Sequence, residues 1–300
     1  MKFPVNQTFF GRQLRALAAE VLALVAFFWL PAPWSYLSYA AALWLALEAW
    51  SGHCLLNRLF LKHGVLGGEL RRPHRDIVIF AVMTAVFAVA APMSVFWSQR
   101  LLVDDLGRLQ VAYDQAVAAT DRRLRVESQD AAVRLEIVLD DFYRRYRSYR
   151  PFAIKTDRQL GVELAQFAEL GRPIKFEAVQ GDLGQARRLL SGPVDFVGGI
   201  MARNRLSALS LALVVFKEAG LVTLLDAAER GDSAQLIRQY DNLNARWGAV
   251  EALATGPEFA AVRAAIEALM DAARLNQTEK LLPLAKSLRA AFGKAYFFRD

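Results

Sequence analysis

The sequence is poor in the residue types on which many catalytic and metal sites depend. It has one cysteine, Cys54, and three histidines, His53, His63 and His74, and none of either after position 74. A single cysteine excludes an intrachain disulfide and any zinc or iron–sulfur site that needs several cysteines. None of these four residues forms the i, i+4 pair that would place two ligands on one helix face. We therefore predict no metal site.

The chain also lacks the loops that mark common enzymes. It contains no glycine-rich phosphate loop and no nucleophile elbow. The adjacent carboxylates Asp104-Asp105 and Asp140-Asp141 would point in different directions on a helix, so solvation of the surface explains them. We predict no catalytic residue and no cofactor, and we expect a protein that is not an enzyme.

Long apolar runs dominate the first part of the sequence, up to Trp97. They cover Leu14–Leu30, Tyr36–Trp50 and Ile77–Trp97. About 20 helical residues cross the roughly 30 Å apolar core of a bilayer. The runs predict a transmembrane domain over residues 1–97, with helices at about 14–30, 36–50 and 77–97. Pro31 to Pro33 is too short a connection for anything except a hairpin.

The distribution of lysine and arginine predicts the orientation. The N-terminal arm and the loop Ser51–Arg75 are basic, whereas the hairpin tip has no lysine or arginine. Basic loops stay in the cytoplasm, and their positive charge suits anionic membrane lipids as partners. We therefore predict a cytoplasmic N-terminus and place Ser98–Asp300 on the opposite face, outside the cytoplasm.

Two glutamates interrupt the apolar runs. Glu20 and Glu48 would lie at similar depth in a hairpin, and carboxylates inside a membrane are often functional. Arg12 and Arg15 are near enough in the sequence to pair with them. We favour structural ion pairs, with proton or cation binding as the alternative.

The segment from Asn6 to Gly64 carries a resemblance. It has an early asparagine, an arginine-containing entry to its first helix, and Gly52-His53-Cys54 after the second. In these features it resembles the YgaP-like transmembrane domain family, which implies a two-helix hairpin in a bacterial inner membrane. Some relatives carry a rhodanese domain, whose own catalytic cysteine has no counterpart here. A membrane redox or sulfur-handling role for Cys54 is an alternative function.

An amphipathic stretch follows the apolar part, from Gln99 to about Tyr149. Its apolar residues recur at helical spacing, which predicts a stalk over residues 98–150, either as one helix or as two helices broken near Thr120. Because the start of the stripe is close to the membrane and far in sequence from the tail, we predict that it contacts another chain. That chain is either a second copy or a different membrane subunit. The predicted contact residues are Leu102, Leu106, Leu109 and Tyr113.

Four arginines alternate with aromatic residues at the end of this stretch: Arg144, Arg145, Arg147 and Arg150. A solvated helix face explains them best, and an anionic ligand or partner is the alternative. Nucleic acid is excluded as a partner, because the chain's formal charge of +7 is not concentrated in a stripe of the kind that binds phosphates.

Residues 151–300 are predicted to form a mostly helical soluble domain. Regular apolar spacing predicts helices over Ser233–Ala254, Pro257–Leu275 and Thr278–Phe297, and Ser207–Phe216 is predicted to be a buried helix or strand. Alternation in Ile174–Val179 and the pattern of Pro193–Val197 predict two strands around a helix, a small β-α-β unit. Residues 160–200 resemble one lobe of a type 2 solute-binding protein.

The predicted fold is therefore mainly α: three transmembrane helices, then a mostly helical soluble domain with a small β-α-β unit. These features favour a non-enzymatic inner-membrane accessory, scaffold or assembly subunit. The alternatives are a membrane-anchored ligand-binding sensor or transport component, and the redox or sulfur-handling role of Cys54.

Overall fold

The computed structural model describes residues 9–28, 30, 34–51, 73–192 and 196–297. These residues are almost entirely helical, and no strand occurs among them. The chain divides into two compact units, each described by itself below. The first comprises Met1–Gln99 with Ser148–Thr156, and the second comprises Arg100–Arg147 with Asp157–Asp300. Most residues of the predicted stalk, 100–147, belong to the second unit.

The helix bounds agree with most of the apolar spacing in the sequence. A π-helical turn, Lys217–Leu221, joins α8 to α9, and a short 3-10 helix covers Phe152–Ile154. The helices are α1 (Phe9–Phe28), α2 (Trp34–Ser51), α3 (Pro73–Asp121), α4 (Arg125–Ser148), α5 (Leu160–Val179), α6 (Leu183–Ser191), α7 (Phe196–Arg203), α8 (Ala208–Phe216), α9 (Val222–Glu229), α10 (Ser233–Glu251), α11 (Pro257–Arg274) and α12 (Thr278–Phe297).

In the first unit, α1 and α2 pack along each other as a hairpin. Small side chains, Ala19 and Ala26 on α1 and Ala42 on α2, are buried, and small residues let two helix backbones approach closely. The Arg12 guanidinium, near the start of α1, donates hydrogen bonds to the carbonyl oxygens of Ala49 (2.7 Å) and Trp50 (3.0 Å) at the end of α2. These contacts satisfy carbonyl groups that have no partner within the helix.

In the second unit, several helices begin at a side-chain cap. Asp182 accepts from Gly184 N before α6, Ser207 from Ser210 N before α8, and Asp232 from Gln235 N before α10. Each cap satisfies a backbone donor of the first turn. Pro257 occupies the first turn of α11, where its missing N–H is not needed.

The main core of the second unit is formed by α8 to α12 around Trp247, whose side chain is fully buried. Its ring lies 4.9 Å from that of Phe216 and 6.3 Å from that of Phe259. The indole N–H donates to Glu251 (3.0 Å), and Arg263 holds the same carboxylate with two nitrogen atoms. The buried indole donor is therefore satisfied, as buried polar groups generally are.

The predicted β-α-β unit is wrong. Ile174–Val179 continues α5, and Phe196 and Val197 begin α7, while residues 193–195 lie outside the described part. The alternation of Ile174 and Ala178 is one part of a helical stripe with steps of three and four. The buried residues of α5 are Leu160, Leu164, Phe167, Gly171, Ile174 and Ala178. The helix runs through Pro173, and Gly171 brings it close to Leu139 of α4.

Among the residues that the structure describes, one helical stretch is long and apolar enough to cross a membrane by length and composition: Ala208–Glu229. The buried core helix of a soluble unit passes the same test, and Leu213, Phe216 and Leu224 of this stretch are buried in the core. The three apolar runs of the sequence are helical in α1, α2 and the first part of α3. Their insertion in a membrane stays a prediction.

Candidate functional site

A cleft opens in the second unit between α5, the end of α6, and α7. Its volume is about 340 Å³, which lies within the range of about 300–1,000 Å³ found for small-molecule sites. The rings of Phe167 and Phe196 lie 4.5 Å apart at the cleft. Its lining residues are Glu163, Gln166, Phe167, Leu170, Gly192, Phe196 and Arg203. Among the residues that the structure describes, the lining combines apolar side chains with the acid Glu163, the base Arg203 and the amide Gln166.

Arg203, the last residue of α7, connects the two acidic groups near the cleft. Its Nε lies 3.3 Å from Oδ2 of Asp157, and its Nη2 donates to the Glu163 carboxylate. Gly199, one helical turn earlier, leaves room for the guanidinium, since a Cβ there would lie 3.1 Å from Nη1. The guanidinium is thus held in one place by carboxylates on two sides.

Asp157 is a buried anchor behind this pair. Its Oδ1 accepts hydrogen bonds from the backbone N–H groups of Gln159 (3.0 Å) and Leu160 (3.1 Å), at the start of α5. Its Oδ2 accepts from the Asn204 side chain at 2.8 Å. Burial by itself raises the pKa of Asp157, but these bonds and the charge of Arg203 together hold the pKa below its ordinary value.

The cleft can recognise a ligand by charge and by apolar contact at the same time. The side chains of Glu163 and Arg203 are each about one third exposed, at 32% and 31%. They place a negative and a positive group within hydrogen-bonding distance of each other beside the two phenylalanine rings. A fixed ion pair beside apolar surface suits the binding and orientation of a small molecule.

The residues predicted to bind another chain lie inside the second unit. Leu102, Leu106 and Leu109 have no exposed surface, so their side chains are covered within this chain, and their contact with another chain stays a prediction. The Tyr113 hydroxyl donates to the carbonyl oxygen of Leu190, and its ring lies 6.3 Å from Phe167. Burial raises the pKa of Tyr113. Helices of the same unit therefore pack against the apolar stripe of α3 that we predicted to contact a partner.

Three of the four arginines singled out in the sequence lie at the end of α4, and each makes a separate contact. Arg144 pairs with Asp140 (3.0 Å) and Asp141 (2.8 Å) on its own helix. Arg145 pairs with Asp105 of α3, and Arg147 lies 5.6 Å from the ring of Tyr143. Arg150 belongs to the first unit and also has an interaction partner.

Asp105 is the acceptor that draws α4 towards α3. Its Oδ2 accepts from Arg145 at 2.5 Å and from the Tyr146 hydroxyl at 2.7 Å. Burial, followed by the charge of Asp105, raises the pKa of Tyr146. Arg145 and Tyr146 therefore attach α4 to α3 through Asp105.

The histidine and cysteine residues give no site in the described part. His53, Cys54 and His63 lie outside the described residues, and the side chain of His74 is not described either. In the portion that the structure does describe, no group of three or more His, Cys, Asp or Glu side chains could hold a metal ion. A role for Cys54 stays a prediction.

Sequence reasoning missed the residues at the cleft. Asp157 carried a usable signal, because an aspartate shortly before an apolar helical run is typical of a helix start. Arg203 and Asn204 had none, since their contact with Asp157 spans more than forty residues. We find no match to the chain among protein-family models, curated proteins or solved structures.

Proposed function

We propose that the protein is a multi-pass protein of a bacterial inner membrane, anchored by residues 1–97. In this proposal the N-terminus is cytoplasmic and the second unit lies outside the cytoplasm, as an accessory, scaffold or assembly subunit. The observation that carries the proposal is the dense exposed apolar surface of α2 in the first unit.

Helix α2 exposes large apolar and aromatic side chains on most of its circumference. Leu43 is 63% exposed and Trp50 is 82% exposed. Exposed apolar patches of this extent are rare on soluble monomers and mark contact with lipid or with another protein. The exposed large apolar residues of α2 are Trp34, Tyr36, Leu37, Tyr39, Leu43, Trp44, Leu47 and Trp50. In a membrane this surface is available to lipids and to a partner subunit.

The first part of α3 continues the same surface type. Val82, Val89 and Met93 are about half exposed, as is Trp97 at its end. In contrast, the large apolar side chains of Leu213, Phe216 and Leu224 in Ala208–Glu229 are buried in the core of the second unit. We therefore assign the anchor to α1, α2 and the first part of α3.

Contacts within the first unit support the proposed topology. A hydrogen bond joins the side chains of Tyr149 and Ser98, and Lys155 donates to the carbonyl oxygen of Phe27. The short segment Ser148–Thr156 thus contacts both the end of α1 and the point where the apolar run of α3 ends. In a three-span arrangement the hairpin tip and Ser98 share one face of the membrane, and these contacts agree with that arrangement.

Cysteine labelling tests the topology. Cys54 reports on the loop predicted to be cytoplasmic, and Thr255→Cys in a Cys54→Ser background reports on the second unit. On intact spheroplasts, a membrane-impermeant maleimide should label position 255 and should label Cys54 only after lysis. Protection of both positions from labelling in intact spheroplasts would place the second unit in the cytoplasm. Release of the protein from the membrane by alkaline extraction would contradict the proposed transmembrane anchor.

A second candidate function is ligand binding, as a membrane-anchored sensor or transport component. The cleft with Glu163 and Arg203 favours it, because the ion pair is fixed by a buried aspartate. A thermal-shift screen of small molecules on the detergent-purified chain tests this candidate. If this candidate function is correct, at least one compound should raise the unfolding temperature of the unaltered chain and should have no such effect on Leu170→Trp, in which the cleft is filled.

A further inference from the structure

We infer that the cleft binds a free amino acid with an apolar side chain. This inference rests on the second candidate function, ligand binding at the cleft, and names the class of ligand. The first step is the pairing of opposite charges at the rim. A zwitterion carries a carboxylate and an ammonium group on one carbon atom, and Arg203 and Glu163 offer the complementary pair.

The hydrogen-bonding capacity of the pair exceeds what the described contacts use. A guanidinium has five N–H donors, and the contacts of Arg203 with Asp157 and Glu163 account for two. A carboxylate has two oxygens that accept several bonds, and the described contact uses Oε2 of Glu163. A ligand carboxylate can join Arg203 and a ligand ammonium can join Glu163 without displacing Asp157.

Asp157 fixes the position of the Arg203 guanidinium. The described hydrogen bonds to its carboxylate, including the one from Arg203, hold the guanidinium in place before any ligand arrives. A positioned arginine recognises a carboxylate with two parallel bonds. Because the charge is already oriented, binding needs little further ordering of the side chain, which favours affinity.

The rest of the lining selects the side chain of the ligand. Phe167, Leu170 and Phe196 supply apolar surface beside the ion pair, and Gln166 supplies one amide. The volume of about 340 Å³ lies at the lower end for small-molecule sites, which suits a ligand of amino-acid size. An aromatic or branched aliphatic side chain would bury apolar area against the rings, whereas glycine would bury none.

The test measures binding to the full chain in detergent by isothermal titration calorimetry. The ligands are L-phenylalanine and L-leucine, with glycine, N-acetyl-L-phenylalanine and L-phenylalaninamide as comparisons. We expect the first two to bind. The other three each lack the side chain, the ammonium or the carboxylate, and should bind about ten- to a hundredfold more weakly, because one polar or apolar contact is lost.

Variants tie the binding to the cleft. Glu163→Gln and Arg203→Lys should weaken the binding of L-phenylalanine at least about tenfold. Glu169→Gln removes an exposed carboxylate from the same helix outside the cleft and should leave binding unchanged. Leu170→Trp keeps the ion pair, fills the cleft and should abolish binding while the thermal unfolding temperature is retained.

The outcomes separate this inference from the function on which it rests. If L-phenylalanine and its acetyl or amide derivative bind with equal affinity, the cleft does not recognise both charged groups of a zwitterion, and the inference is wrong. If the amino acids fail to bind while another compound raises the unfolding temperature of the protein but not that of Leu170→Trp, the inference fails and ligand binding at the cleft stands. If no compound stabilises the chain, both fail.

Discussion

Gly107 of α3 lies against Val214 of α8, so close that a Cβ at position 107 would come within 2.8 Å of the Val214 Cβ. Side-chain carbons do not approach each other this closely. The glycine therefore allows α3 to pass next to α8, and it marks the point where a helix predicted to be a stalk is instead built into the second unit.

Replacing Gly107 by alanine should destabilise the second unit. Alanine favours a helix by up to about 1 kcal/mol, but overpacking of a core costs about 1–3 kcal/mol. We expect a net loss of roughly 1–2 kcal/mol, measured by chemical denaturation of the detergent-purified chain. Gly248→Ala is the matched control, because no atom lies near its Cβ position, and it should stabilise slightly. Equal stabilisation by both changes would contradict the close approach.

The buried stripe of α3 gives the second prediction. Leu106 and Leu109 have no exposed surface, whereas Leu101 is 58% exposed. Replacing a buried leucine by a small residue costs about 2–5 kcal/mol, and a buried hydroxyl adds to this loss. The double variant Leu106→Ser, Leu109→Ser should therefore lose protease resistance and helical signal in the second unit.

Leu101→Ser is the control for this double variant. It removes the same side chain from an exposed position of the same helix, so it should leave the helical signal and the protease resistance nearly unchanged. If the double variant keeps its fold and loses only a bound subunit, the stripe of α3 contacts that subunit.

Local sequence patterns predicted the positions of helices and their apolar faces, but not which helices pack against each other. The spacing of Phe259, Val262, Ile266 and Leu269 predicted α11 correctly, because a buried helix face repeats every three to four residues. The same rule identified the stripe of α3. It could not identify what covers the stripe, since that depends on contacts such as the hydrogen bond from Tyr296 to Asp104, 192 residues away.

Short alternating segments misled for a related reason. Ile174, Phe176 and Ala178 alternate like a strand, yet only Ile174 and Ala178 are buried, and Phe176 is 58% exposed. Six residues are too few to separate a period of two from a period of 3.6. Gly171 and Pro173 are residue types that often end helices, but α5 continues through both, and Gly171 packs against α4.

The third prediction concerns the pH dependence of stability. Because the pKa of Asp157 in the folded protein lies below its ordinary value of 3.8, its ionised form stabilises the fold. That contribution is present above about pH 4 and is lost as the pH falls through the lower, folded-state pKa. Asp157→Asn should reduce stability at neutral pH by about 1–3 kcal/mol and should weaken the acid dependence of the unfolding midpoint.

The control for Asp157→Asn is Asp226→Asn, at an exposed carboxylate paired with Arg230 (2.9 Å). Exposed pairs contribute about 0–1 kcal/mol, so this change should have a small effect at every pH. An Asp157→Asn variant with the same acid dependence as the unaltered chain would show that Asp157 does not couple to folding.

The last prediction concerns the ion pair in the hairpin. Arg15 Nε lies 3.3 Å from Glu48 Oε2, and the Glu48 side chain is only 5% exposed. The expectation that an arginine near the start of α1 pairs with one of the two glutamates thus holds for Glu48. Removing one partner of a buried pair leaves an uncompensated charge and costs about 3–5 kcal/mol, whereas removing both costs much less. Arg15→Leu and Glu48→Leu should each destabilise the hairpin strongly, and the double variant should recover most of the loss.

Thermal unfolding in detergent, followed by circular dichroism, measures this cycle. Glu20→Gln serves as the comparison, because it removes a carboxylate from α1 while leaving the pair of Arg15 with Glu48 in place. We expect that change to lower stability by about 1 kcal/mol or less. Single changes whose effects simply add in the double variant would mean that Arg15 and Glu48 do not interact. The alternative role of Glu48 in binding a proton or cation would then regain support, because a buried carboxylate needs some other partner.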